Sequence, residues 1–143
     1  MPTPRPRPLA LLFISSLLLG CSARRSGASA VDDDLRCSSI PEIEQSGGKR
    51  DRNAIMRKIR EQYPALENCF QGAVERNAGA NGKLETRLVI ESSGSVSSAC
   101  VQETTMDDGQ AIECMVDELR SIKFGRADGA VTIVHPISFA ASR

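Results

Sequence analysis

Aromatic side chains are scarce in this chain: its 143 residues include four Phe, one Tyr and no Trp. Proteins that stack bases or sugars need flat aromatic platforms, so the composition argues against those binding classes. Histidine is scarcer still, with His135 alone. A hydrolase needs a nucleophile, a base and an orienting group. Any histidine-based scheme must therefore run through His135, which precedes Pro136 in an extended run and reads as a strand residue without a chemical role. Neither a Gly-x-Ser-x-Gly elbow nor a glycine-rich loop ending in Lys-Ser or Lys-Thr occurs. No Cys-x-x-Cys pair occurs either, which removes the usual spacing for thiol redox chemistry and for zinc. Glu113, Asp117 and Glu118 cluster on one predicted helix, but their spacing suits a solvated face. The chain is expected to have no catalytic residue, no metal site and no cofactor. Basic and acidic residues are equal in number at 18 each. No clustered basic face emerges from that balance, so no nucleic-acid partner is expected.

The N-terminus does carry a signal. Arg5 and Arg7 precede a largely apolar run over residues 9–19, and no acidic residue appears before Cys21. This is the layout of a secretory signal. The run is about half of the roughly 20 residues needed to cross a bilayer. Its ending, Leu18-Leu19-Gly20-Cys21, resembles the lipobox of bacterial lipoproteins. That resemblance implies removal of residues 1–20 as a signal peptide, with lipid attached to Cys21 and the membrane as a partner through that lipid. Ser22 follows in place of Asp, which under the usual sorting rule implies the outer membrane, with the protein facing the periplasm.

Setting Cys21 aside leaves Cys37, Cys69, Cys100 and Cys114. An even number of cysteines in a small exported domain reads as disulfides. Four cysteines allow three pairings, and composition does not choose among them. Residues 21–52 are rich in Ser, Gly, Arg and Asp and read as a flexible tether. The stretch 37–43 is the exception, because Cys37, Ile40 and Ile43 could be pinned onto the domain. Asp32, Asp33 and Asp34 read as solvated linker.

Residues 53–143 read as one folded domain. Ile55, Met56 and Ile59 mark one side of a short helix, interrupted by Pro64. Leu66, Cys69, Phe70, Ala73 and Val74 then mark one helical face. Leu84, Leu88 and Ile90 alternate in a first strand, followed by the turn Ser92-Ser93-Gly94-Ser95 and a second strand over 96–103. Asp107 and Asp108 suit the start of a helix that carries Ile112, Met115, Val116, Leu119 and Ile122 on one side. Val131, Ile133, Ile137 and Phe139 alternate in a last strand over 130–139, where Pro136 requires an edge position or a bulge. The expected fold is α+β, in the order helix-strand-strand-helix-strand, with a three-stranded antiparallel sheet and two helices on one face.

The segment Tyr63-Pro64-Ala65-Leu66-Glu67-Asn68-Cys69-Phe70 resembles the first helix of the C-terminal domain of AgmX/PglI-type proteins of myxobacteria, which is similar to the TonB C-terminal domain. The resemblance continues through Glu91-Ser92-Ser93-Gly94-Ser95-Val96, Glu113-Cys114-Met115-Val116, Ile122-Lys123-Phe124 and residues 131–139. It implies a non-catalytic protein-interaction module of the cell envelope, with an envelope protein as partner. It also implies one cysteine in each helix, joined as Cys69–Cys114. Cys37–Cys100 is then the remaining pair, a bond outside the family pattern that ties the tether to the second strand. The chain departs from TonB itself in lacking a long membrane anchor and a Pro- and Lys-rich spacer. An edge strand presents unpaired N–H and C=O groups to which a partner segment can add. The expected acceptor is the last strand at Ala130, Val131, Thr132, Ile133, Val134 and His135. The alternative is a structural or small-ligand-binding envelope lipoprotein with no such partner.

Overall fold

The computed structural model describes residues 31–37 and 49–141. Three helices and three strands follow one another: α1 (Arg52–Glu61), α2 (Tyr63–Arg76), β1 (Asn81–Ile90), β2 (Val96–Thr104), α3 (Gly109–Ser121) and β3 (Val131–Ala140). The fold is α+β with a wholly antiparallel sheet in the order β2-β1-β3.

The first helical region is divided in two at Gln62, which closes α1 and opens α2. Pro64 stands in the first turn of α2, where an amide would have no helical partner. Asp51 caps α1 by accepting from the amide of Asn53, and Asp108 caps α3 by accepting from Ala111. Asp108 also receives two hydrogen bonds from Arg76, at 2.7 and 2.8 Å. That pair ties the end of α2 to the start of α3, and the guanidinium holds the Asp108 carboxyl below the usual carboxylate range.

Strand alternation decides what each face of the sheet meets. Leu84, Thr86, Leu88 and Ile90 of β1 are fully buried on the helix side. Their cross-strand partners include Ala99 and Val101 of β2 and Ile137 of β3. Ile59, Leu66, Phe70, Ala73, Ile112, Met115, Val116 and Leu119 of the helices close over them in one core. His135 shares this face and is 5% exposed. Strand β1 begins three residues earlier than the apolar alternation suggests, because Asn81, Gly82 and Lys83 pair with Ala140, Phe139 and Ser138.

Two disulfides brace the domain. Cys69–Cys114 joins α2 to α3, and Cys37–Cys100 joins the segment 31–37 to β2. Cys100 pairs across the ladder with Arg87, so the second bond lies on the face away from the helices. The hairpin turn between β1 and β2 requires a glycine. Gly94 has φ +92°, and a Cβ there would lie 1.9 Å from the carbonyl oxygen of Phe124.

Candidate functional site

A three-stranded sheet has two edges, and in this fold they differ. Segment 31–37, part of the stretch read as tether, runs beside β2. Arg36 bridges Val101 in parallel, Val31 is buried in the core, Leu35 packs against it, and Cys37 is bonded to Cys100. The middle of the β2 edge is therefore covered.

The β3 edge has another character, which follows from ladder parity. The amide of Ala141 donates to the carbonyl of Ala80, so the pair 80 and 141 is hydrogen-bonded. In an antiparallel ladder, hydrogen-bonded and non-hydrogen-bonded pairs alternate. Continuing along the register, Val131, Ile133, His135 and Ile137 bond inward to β1. Thr132, Val134, Pro136 and Ser138 turn their backbone groups to the other side, where no strand of the described residues pairs with them. Pro136 agrees with this parity, since its missing N–H is then not subtracted from the ladder. Val134 also presents its side chain, at 49% exposure the one exposed large apolar residue among the described residues.

The six residues expected at the edge thus divide by role. Thr132 and Val134 offer N–H and C=O groups outward. Val131, Ile133 and His135 point their side chains toward the helices. Ala130 precedes the strand and is engaged within the domain. Beyond Val134, Pro136 offers only a carbonyl.

Beside this edge lies a groove of about 450 Å³, between β3 and the start of α1. Ile55, Met56, Ile133 and Val134 supply apolar surface, while Lys49, Arg50 and Arg52 supply positive charge. Arg50 is already committed. Its guanidinium donates to the carbonyls of Glu91 and Gly125, clamping the hairpin turn to the loop after α3. His135 closes the inner wall. Its Nε2 lies 3.2 Å from the hydroxyl of Tyr63, Thr86 donates to its carbonyl, and burial pushes its pKa down.

Sequence reasoning did not assemble this groove. Lys49, Arg50 and Arg52 fell in the stretch read as tether, and an even overall charge concealed the local excess. The signal was present in the density of basic residues over 49–60: Lys49, Arg50, Arg52, Arg57, Lys58 and Arg60. The expectation of no clustered basic face is corrected on this point. Averaging charge over the chain cancels a basic helix against the acidic residues of the remaining elements.

Asp117 pairs with Arg120 on the surface of α3. Glu118 accepts from Gln62 at 2.6 Å, and Glu113 is exposed. Among the described residues, no group of three or more His, Cys, Asp or Glu is placed to hold a metal. None of the described helices is long and apolar enough to cross a membrane. Cys21, and with it residues 1–30, lies outside the described residues.

No family model matches this chain, and no curated protein matches it. Among solved structures, it is similar to the solution structure of the TonB C-terminal domain of Helicobacter pylori, residues 179–285. Identity is 16% and the TM-score 0.39, over 58% of this chain and 83% of that chain.

Proposed function

We propose that this chain is a non-catalytic, lipid-anchored protein of the bacterial envelope, held to the outer membrane through Cys21 and facing the periplasm. Its domain, residues 53–143, accepts an extended segment of a partner envelope protein along β3. The observation that carries this reading is the outward parity of Thr132 and Val134 beside a groove that an added strand would fill. The covered β2 edge supports it by leaving β3 as the available side.

The energetics favour a transient partner. Thr132 and Val134 supply about four main-chain hydrogen bonds, each worth about 1 kcal/mol net. Burial of Val134 under the added strand, and of the partner's apolar side chains against Met56, adds to this. Ordering a free segment costs a large part of the gain, so affinity for a short segment is modest. Holding both proteins at the same membrane raises the effective concentration and offsets that weakness.

The test is site-specific photocrosslinking in intact cells, with the probe at Thr132 or Val134 and a control at Glu113 on α3. The expected result is one envelope protein captured from the two β3 positions and absent from Glu113. Identical captures from all three positions would refute strand acceptance. Lipid attachment is checked separately by metabolic labelling with a fatty acid, which Cys21→Ser should abolish.

A further inference from the structure

A second groove adjoins the first at the N-terminal turn of α1. Its volume is about 500 Å³, and it lies between α1 and the loop 122–130 that leads into β3. Lys49, Arg50 and Ile55 line both grooves, so the two are continuous around the start of the helix. Arg57, Lys58 and Arg126 line the second groove, together with Asp51 and Asp128.

Several of these charges are already in use. Arg50 donates to backbone carbonyls, Lys58 is paired with Glu61 at 2.6 Å, and Asp51 caps α1. Lys49, Arg57 and Arg126 are exposed and make no ion pair among the described residues. Three uncompensated cations thus surround one groove, opposed by Asp128. Exposed cations attract an anionic partner even at modest energy per contact.

The partner's chemistry can be narrowed. A helix that lies on a lipid surface must present an apolar face to it. Of the apolar residues of α1, Ile55 and Ile59 are buried in the domain and Ala54 and Met56 are partly buried, which leaves no broad apolar face to insert. The groove is instead a continuation of the β3 edge, at the end where Val131 begins the strand. Accepting the reading of β3 as a strand acceptor, on which this inference rests, we propose that the partner segment continues into the second groove through a short acidic flank. About three residues of extended chain, at 3.3 Å each, span about 10 Å. The flank follows the partner's strand if that strand adds antiparallel to β3, and precedes it if parallel.

The experiment uses the full chain with its disulfides intact. A displayed library of random segments of about eight residues, the span of an added strand, is selected with Asp-Glu-Asp, Ser-Ser-Ser or Lys-Arg-Lys fused at either end. An exposed ion pair changes affinity by about two- to fivefold, so three at the lower end of that range, with Asp128 opposing them, give about tenfold for the acidic flank at one end. Basic flanks should be depleted, and high salt should remove the difference. The triple variant Lys49→Glu/Arg57→Glu/Arg126→Glu should lose the acidic preference while still binding segments with serine flanks. These three side chains are exposed, so unchanged thermal unfolding verifies the fold of the variant.

Val134→Pro, which closes the edge, separates the two levels of the argument. Serine-flanked segments that bind the wild-type chain and not Val134→Pro, with no gain from acid, would uphold the edge and overturn the flank. Selection of nothing beyond what Val134→Pro also retains would overturn both. Equal gains from acid at both ends of one and the same selected segment would mean general attraction and overturn the proposal. So would chain binding to phosphatidylcholine vesicles doped with phosphatidylglycerol, lost in the triple variant, with no flank effect.

Discussion

A paired proline substitution along β3 tests the register on which the site rests. Ile133 and Val134 are neighbours, but parity gives their amides opposite roles. The Ile133 amide bonds to β1, opposite Leu88 in the interior of the sheet. Ile133→Pro removes that donor, and the stranded carbonyl costs about 1–3 kcal/mol. Loss of the half-buried isoleucine side chain, which packs against the core, adds about 1 kcal/mol. The total is about 3 kcal/mol, a large share of the stability of a domain this size. The Val134 amide faces the open edge, and its side chain is 49% exposed. Val134→Pro subtracts nothing from the ladder and is expected to cost less than about 1 kcal/mol, as the tolerated Pro136 two residues on indicates. Urea unfolding of the oxidised chain, with Ile133→Ala and Val134→Ala as side-chain controls, measures both. Equal losses would refute the assigned parity and the larger loss at Val134 would show it to be reversed; either removes Thr132 and Val134 from the site.

Three further outcomes follow from the packing. Cys69 and Cys114 close a loop of 45 residues and Cys37 and Cys100 one of 63. Each bond contributes about 4 kcal/mol in the chain-entropy model. Cys37→Ala/Cys100→Ala should also speed amide exchange at the outer edge of β2 well beyond the change in Cys69→Ala/Cys114→Ala, and matching exchange in both would mean that 31–37 does not guard that edge. Gly94→Ala puts a methyl group against the Phe124 carbonyl at positive φ and is expected to cost about 3 kcal/mol, read as a lowered midpoint of thermal unfolding. The pH dependence has a defined sign. Burial sets the folded pKa of His135 below its ordinary 6.5, so the unfolded chain takes up the proton first. Stability from this group is complete above pH 6.5 and declines below it, through the folded pKa, by at most about 1.4 kcal/mol per pH unit. Asp108 acts separately, losing its contribution only below its ordinary 3.8. His135→Gln should flatten the upper window alone, and an unchanged slope between pH 6.5 and 5 would assign it to another group.

The sequence was most legible where a residue's environment repeats with the period of its own element. Leu66, Cys69, Phe70 and Ala73 announce a helix face, and Ile112, Met115, Val116 and Leu119 another. Leu84, Leu88 and Ile90 announce the buried side of a strand. Polar members of the same alternations were harder to read. Thr86 and His135 are buried because their neighbours on the face are, with Thr86 donating to the His135 carbonyl and His135 held by Tyr63. The break at Gln62 was legible to within two residues, because Pro64 interrupts the first apolar pattern and suits the first turn of the run that follows. The basic residues over 49–60 were legible as a run but not as a site, because the second groove forms only where Lys49 and Arg57 meet Arg126 of a distant segment.

Local chemistry by itself determined the elements, their apolar faces and the confinement of Pro136 to an edge or a bulge. Periodicity and a missing amide are properties of a short stretch of chain. Tertiary structure alone decided which edge stayed open. Cys37 reaches Cys100 across 63 residues, Arg36 meets Val101, and β1 takes the centre of the sheet. Each of these is a relation between distant residues, set by the burial of one shared core, which no local period encodes.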